Sequence, residues 1–225
     1  MKIAPIIYLI GLLLCILSLF MIIPAFVDWF YGNDDWPAFV GASFITLFVG
    51  SICYLSNKGI ITEHLELRQA FLLTNSAWIS IALFGSIPFM LSEIDMSFTD
   101  AIFESTSGIT TTGATVINNL DTTSHGILIW RALLQWLGGV GIIVMALAVL
   151  PMLSIGGMQL FKTESYETPD KVVPKAASFA AGISMVYISL TTLWALMLCI
   201  AGMPIFDSIA HAMTTVATGG FSTHD

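Results

Sequence analysis

Five stretches of this chain carry no charged side chain, and each is long enough to cross a bilayer. They are Ile3–Val27, Trp36–Asn57, Gln69–Ser92, Ala132–Phe161 and Ala176–Phe206. A helix needs about 20 apolar residues to span the hydrocarbon core. The shortest of the five runs, at 22 residues, already suffices. A soluble domain devotes about a quarter of its residues to Asp, Glu, Lys and Arg. Here they make up 10% of 225 residues, against 56% hydrophobic. Seven Lys and Arg residues cannot coat a soluble surface or neutralise a nucleic-acid backbone, so no nucleic-acid partner is expected. The pattern predicts an all-α integral membrane protein with five transmembrane helices. The first run exceeds the roughly 7–15 apolar residues of a secretory signal and lacks a small-residue cleavage site after it, so it reads as a retained helix.

Charge gives the orientation. Lys2, Lys58, Arg68, Lys162, Lys171 and Lys175 fall on one set of alternating loops, and Asp28–Asp35 and Glu93–Asp121 on the other contain no basic residue. Lys and Arg are retained on the cytoplasmic side, which places the N-terminus in the cytoplasm. Summed by face, the inside holds 6 basic and 5 acidic residues and the outside 1 and 10, so the net −8 divides into +1 and −9. Trp29, Tyr31 and Trp36 suit an outer aromatic belt. Asp28, Asp34, Asp35, Glu93, Asp95 and Asp121 fit either a vestibule that concentrates cations or a solvated acidic rim.

Cys15, Cys53 and Cys199 lie inside runs, with no metal or disulfide spacing. His64, His125, His211 and His224 form no triad or metal-ligand pattern, and no nucleotide-binding glycine loop is present. The chain is therefore read as a non-enzyme without a cofactor.

Residues 93–125 are too long for a turn. Phe98–Ile109 is a moderately apolar stretch, too short to span, with Thr99 or Asp100 as its expected N-cap. It is followed by Thr110-Thr111-Thr112-Gly113-Ala114-Thr115. Consecutive β-branched residues favour extended backbone, and Gly113 permits positive φ. A short helix, an extended Thr/Gly strand and a return to the surface describe a re-entrant loop, which membranes tolerate only where it is buried in protein or lines water. Such a strand can aim carbonyl oxygens at a cation in place of its hydration shell.

The same order recurs. Residues 98–115 shifted by 107 fall on 205–222 without a gap, with Asp100 on Asp207, Ile102 on Ile209, Thr111 on Thr218 and Gly113 on Gly220. In both copies a long apolar span precedes, an Asp opens a short helix and a Thr/Gly strand follows. The repeat predicts two re-entrant pore-helix/filter loops that gather, with further units, around an axis along the membrane normal. Glu104, within the first short helix, either adds negative potential near the filter or holds its backbone. His211 takes its place in the second. Arg131 reads as an outer residue that pairs with an outer carboxylate or anchors the fourth span. Gly138, Gly139 and Gly141 suit close packing against a pore helix.

Phe103-Glu104-Ser105-Thr106-Ser107-Gly108-Ile109-Thr110-Thr111-Thr112-Gly113-Ala114-Thr115-Val116 resembles the first filter of the TrkH/TrkG potassium-uptake subunits, grouped with the KtrB and plant HKT transporters. Gln135-Trp136-Leu137-Gly138-Gly139-Val140-Gly141-Ile142, Gly156-Gly157-Met158-Gln159-Leu160 and Gly219-Gly220-Phe221-Ser222-Thr223-His224-Asp225 resemble further stretches of that family. The resemblance implies a pore of four channel-like repeats, with potassium as substrate and Thr110, Thr111, Thr112, Gly113, Ala217, Thr218, Gly219 and Gly220 coordinating it through their carbonyls. It also implies a membrane homodimer in the bacterial inner membrane, gated by a cytosolic TrkA-type nucleotide-binding ring. Only two of the four filters fall in this chain, which therefore resembles the N-terminal half, with the remaining C-terminal repeats as a required partner.

The expected organisation is two N-terminal transmembrane helices in 1–68, a first channel-like repeat in 69–161, a cytoplasmic loop in 162–175 and an incomplete second repeat in 176–225. The expected activity is potassium uptake. The alternatives are a secondary transporter with a midplane site and a less selective potassium/sodium permease.

Overall fold

The computed structural model describes residues 3–58, 67–153 and 172–225, and all regular structure among them is helical. Helices α1 (Ala4–Phe20) and α2 (Ile22–Tyr31) form one path of 28 residues interrupted at Met21. Pro24 has no N–H to close onto Phe20, so the helix yields there. Next come α3 (Trp36–Ser56), α4 (Leu67–Gly85) and the short α5 (Ile87–Leu91). Pro88 acts on the α4–α5 path as Pro24 does on the first. Then follow α6 (Phe98–Ile109), a 3-10 turn at Leu120–Thr122, α7 (His125–Leu153), α8 (Val172–Ile200) and α9 (Ile205–Val216).

Five helical segments are long and apolar enough to cross a membrane: Ala4–Tyr31, Trp36–Ser56, Arg68–Leu91, His125–Ile143 and Ala181–Ile200. The chain is a multi-pass membrane protein. Several ends differ from the uncharged runs, among them the first, which continues through buried Asp28 to Tyr31. The fourth helix begins at His125, before Arg131, because that charge is buried against a partner and does not mark the membrane surface. The fifth ends at Ile200, because Gly202 (φ 99°) and Pro204 turn the chain into α9. Lys2, residues 59–66 and residues 154–171, which include Gly156–Leu160 and most of the expected cytoplasmic loop, lie outside the described residues.

Helix α7 is the axis of the fold. Its membrane segment is 61% buried, whereas that of α8 is 6% buried and faces outward. Trp130, Leu133 and Leu134 on α7 meet Leu14, Leu17 and Met21 of α1–α2, Phe39 of α3, Phe89 of α5 and Ala101 of α6 in one core. Helices in lipid gain little from apolar contact alone and add interhelical hydrogen bonds. Accordingly Ser43 Oγ donates to the Ser18 carbonyl at 2.8 Å, joining α3 to α1, and Tyr8 stacks on Tyr54 at 4.9 Å. The three cysteines are free and half-buried.

Two of the six acids expected to form either a cation-concentrating vestibule or a solvated rim are buried. Asp28 accepts from Asn33 Nδ2 and from the Gly126 N–H. Asp35 accepts from the Glu93 N–H at 2.8 Å and from Ser124 Oγ at 2.7 Å. These carboxylates fasten the loops before α6 and α7 to the outer ends of α2 and α3, and so position the segment between them.

Candidate functional site

Helices α6 and α9 have the same length and the same ends at the 107-residue offset, Phe98–Ile109 and Ile205–Val216. The N-cap of α6 is Ser97, not Thr99 or Asp100. Ser97 Oγ accepts the Asp100 N–H at 3.2 Å and donates to Asp100 Oδ2 at 2.7 Å. Ser97 thus satisfies the backbone donor of Asp100 as an N-cap, while its hydroxyl proton is held by the Asp100 carboxylate.

The C-terminal ends of the two helices are built alike. The Thr111 N–H bonds the Gly108 carbonyl at 2.9 Å and the Thr112 N–H bonds that of Ser107 at 2.9 Å. In the second copy Thr218 bonds Thr215 at 3.0 Å and Gly219 bonds Thr214 at 2.8 Å. This is the Schellman closure, which requires a left-handed residue just past the cap. The residues there are Thr111 (φ 57°) and Thr218 (φ 56°), where glycine is usual. A non-glycine residue in this region costs about 1–3 kcal/mol, and the fold accepts that cost twice. The backbone therefore does not leave the helix as a simple extended strand. It turns left-handed at Thr111 and again at Gly113 (φ 80°), and likewise at Thr218 and Gly220 (φ 78°).

The residues expected to coordinate an ion occupy these two segments. No described hydrogen bond uses the carbonyl of Thr110, Thr111, Thr112 or Gly113, or that of Ala217, Thr218, Gly219 or Gly220. One carbonyl just past the first set and one two residues past the second are engaged. Ser107 Oγ donates to Ala114 O at 2.5 Å, and Arg131 Nη1 donates to Ser222 O at 2.8 Å. The segments also touch. A Cβ on Gly113 would fall on the Gly219 carbonyl oxygen, so Gly113 needs both its positive φ and its missing side chain. The Thr110 hydroxyl donates to the Thr106 carbonyl at 2.7 Å and lies 2.8 Å from that of Thr112, which keeps both on the helix end.

Behind the segments lies a buried polar cluster. Glu104 accepts from Thr115 Oγ1 at 2.9 Å, from the Val116 N–H at 3.0 Å and from Arg131 Nε at 2.7 Å. Neither Glu104 nor Arg131 reaches solvent. The Arg131 guanidinium also lies 4.2 Å from the centre of the Phe221 ring. Glu104 thus holds the chain just past the first segment, at Thr115 and Val116. In the second copy His211 Nε2 meets Thr223 Oγ1 at 3.1 Å, and Thr223 Oγ1 donates to Asp207 Oδ1 at 2.8 Å. Burial pushes the His211 imidazole down, opposed by the nearby Asp207 carboxylate.

Three further contacts locate the pair of segments. Gly138 of α7 packs so tightly on α6 that a Cβ would fall on the Ile109 carbonyl, and Tyr187 of α8 donates to the Trp136 carbonyl at 3.1 Å. On the exposed surface His224 Nδ1 lies 2.6 Å from Asp121 Oδ1, and its Nε2 lies 3.4 Å from Asp207 Oδ2. The bonds to Asp121 and then to Asp207 raise the His224 pKa above its ordinary value.

The pairing of Arg131 with an outer carboxylate is the contact seen with Glu104, while the choice of that partner and the reach to Ser222 were missed by sequence reasoning. The available signal was an Arg followed by a long apolar run, in register with a lone Glu inside a short apolar helix.

The sequence and the fold resemble those of known proteins. A family model described as TrkH, cation transport protein, matches residues 36–225. The Trk system potassium uptake protein TrkH of Halomonas elongata is 43% identical over 100% of this chain and 47% of its own length. TrkG of Escherichia coli, also named a Trk system potassium uptake protein, is 37% identical over 95% of this chain and 44% of its own. The crystal structure of the potassium transporter TrkH from Vibrio parahaemolyticus superposes with a TM-score of 0.87 at 40% identity, covering 100% of this chain and 45% of that one. The chain spans about half the length of the curated relatives it matches. With most of its residues inside the family model and its helices matching a solved member, the chain belongs to the TrkH cation transport protein family.

Proposed function

We propose that the full-length protein carrying this chain moves potassium across the bacterial inner membrane, and that residues 110–113 and 217–220 form part of the ion path. One observation carries the assignment of these residues: two segments 107 residues apart repeat the same positive φ, at Thr111 and Gly113 and at Thr218 and Gly220, with the carbonyls of both segments outside every described hydrogen bond. Alternation of positive and negative φ along each set turns successive carbonyls toward one side, as a coordination site for a dehydrated cation requires. The relatives named potassium uptake proteins supply the identity of the ion.

In this reading α6 and α9 are re-entrant pore helices. Twelve residues give about 18 Å of helix, too short to span, and the partial negative charge of each C-terminal end favours a cation beside it. Potassium is the substrate, met by the carbonyls of Thr110, Thr111, Thr112, Gly113, Ala217, Thr218, Gly219 and Gly220. The first channel-like repeat covers 69–161 and the second begins at 176. The N-terminus is cytoplasmic, supported by the basic residues gathered on alternate loops. A membrane homodimer, a TrkA-type cytosolic ring and the further repeats complete the assembly. No residue here carries bond-making chemistry.

The deciding experiment places Gly113→Ser in the full-length protein and measures potassium-over-sodium preference in cells that lack other potassium uptake. A marked fall in preference is expected. An unchanged preference removes Gly113, and with it the carbonyl reading of the first segment.

A further inference from the structure

We propose that Gln135 is a positioning residue that sets the spacing between the two candidate filter segments and thereby their ion discrimination. The inference rests on the reading of those segments as an ion path.

Gln135 lies one turn after Arg131 on α7, on the same face as Gly138 and Gly139. Its side chain is fully buried. Oε1 accepts the Phe221 N–H at 3.1 Å, and since a backbone N–H only donates, this bond fixes which end of the amide is oxygen. The amide also fills the space where Gly219 would carry a side chain, because a Cβ there would overlap Cδ and Oε1. Gly219 does not have the positive φ of Gly113 and Gly220. Space, rather than backbone conformation, is what excludes a side chain at Gly219. On its other side Nε2 lies 3.8 Å from the Cβ position of Gly113. One planar amide therefore touches both segments at the point where Gly113 meets the Gly219 carbonyl.

Nε2 is buried and has no hydrogen-bond partner among the described residues. Buried donors left unpaired are disfavoured, and an apolar residue of similar size would avoid the penalty. The positions nearest this donor are those of Gly113 and Gly219, one in each segment. An amide that accepts from one strand and presents donors where the two strands meet fixes a distance that apolar packing leaves soft. Carbonyl coordination responds to such distances, so the residue that sets them sets selectivity.

The test uses the full-length protein with Gln135→Leu, which keeps the bulk but loses the polar ends, and Gln135→Asn, which withdraws the amide by one methylene. Potassium-over-sodium preference is measured beside the amount of folded protein in the membrane. Each variant is expected to lower the preference roughly 2–10-fold, the range of one hydrogen bond, with folded protein retained. A contact test accompanies it: Gly219→Ala should depress uptake, and adding Gln135→Ala should restore at least about fivefold. Unchanged preference in both single variants overturns the proposal, as does a paired variant no better than Gly219→Ala. Failure of both single variants to fold also overturns it, by assigning Gln135 to folding alone. Gly113→Ser separates the two levels. If it lowers the preference while the Gln135 variants do not, only this inference fails. If it too has no effect, the filter reading fails.

Discussion

Arg131 Nε sits 2.7 Å from Glu104 Oε1, both groups shut away from solvent, while another nitrogen of the same guanidinium bonds the Ser222 carbonyl. A single side chain on α7 thus grips the helix behind the first candidate filter segment and the backbone that leaves the second.

Removing Arg131 strands a buried carboxylate. Breaking a buried pair by deleting one partner costs about 3–5 kcal/mol, so Arg131→Ala should sharply lower the yield and melting temperature of detergent-solubilised protein. Arg131→Lys should recover only part of this, because an ammonium lacks the fork that serves two acceptors. Equal melting temperatures for wild type and Arg131→Ala would refute the fastening role.

Thr218→Gly relieves a left-handed β-branched residue. The expected gain is about 1 kcal/mol, read as a higher melting temperature, and Thr111→Gly should behave alike. Lower stability in both would mean that the threonine side chains contribute more than the backbone conformation costs.

Asp35→Ala leaves the Glu93 N–H and Ser124 hydroxyl without their acceptor. A cost of about 1–3 kcal/mol is expected, whereas Asp34→Ala, at an exposed position, should change stability by less than about 0.5 kcal/mol. Parallel thermal melts check the contrast, and equal effects would return Asp35 to the solvated rim.

The outer contact of His224 should depend on pH. Its folded pKa is raised above the ordinary value near 6.5, through Asp121 first and Asp207 second. The charged contact is therefore fully present below about pH 6.5 and is lost as pH rises through the raised value. Hydrogen exchange of residues 119–124 should quicken over that window in wild type and show no such step in His224→Gln.

The short helices were legible in the sequence because their signals are local. Phe98–Ile109 is bounded by a capping pair and a glycine-containing turn, and the 107-residue echo repeats the order. The left-handed threonines were not, since β-branched propensity favours extended backbone and the closure of the helix end overrides it. Arg131 was misplaced for a different reason. A span drawn between charges treats every charge as a water contact, and this one is satisfied inside the protein by a residue 27 positions away. Both readings of Asp28 and Asp35, as vestibule or as rim, rest on the same assumption that an acid faces water. The amides that donate to them, of Gly126 and Glu93, leave no trace in sequence.

The bond from Arg131 to Ser222 joins positions 91 residues apart. At roughly 5–20 residues per second of synthesis, the guanidinium waits on the order of 5–20 seconds before its second acceptor exists. During that interval the first repeat can insert and pair with Glu104, but its outer side stays unfinished. Completion of one half of the structure is thus a timed event, set by the ribosome's arrival at a carbonyl in the other.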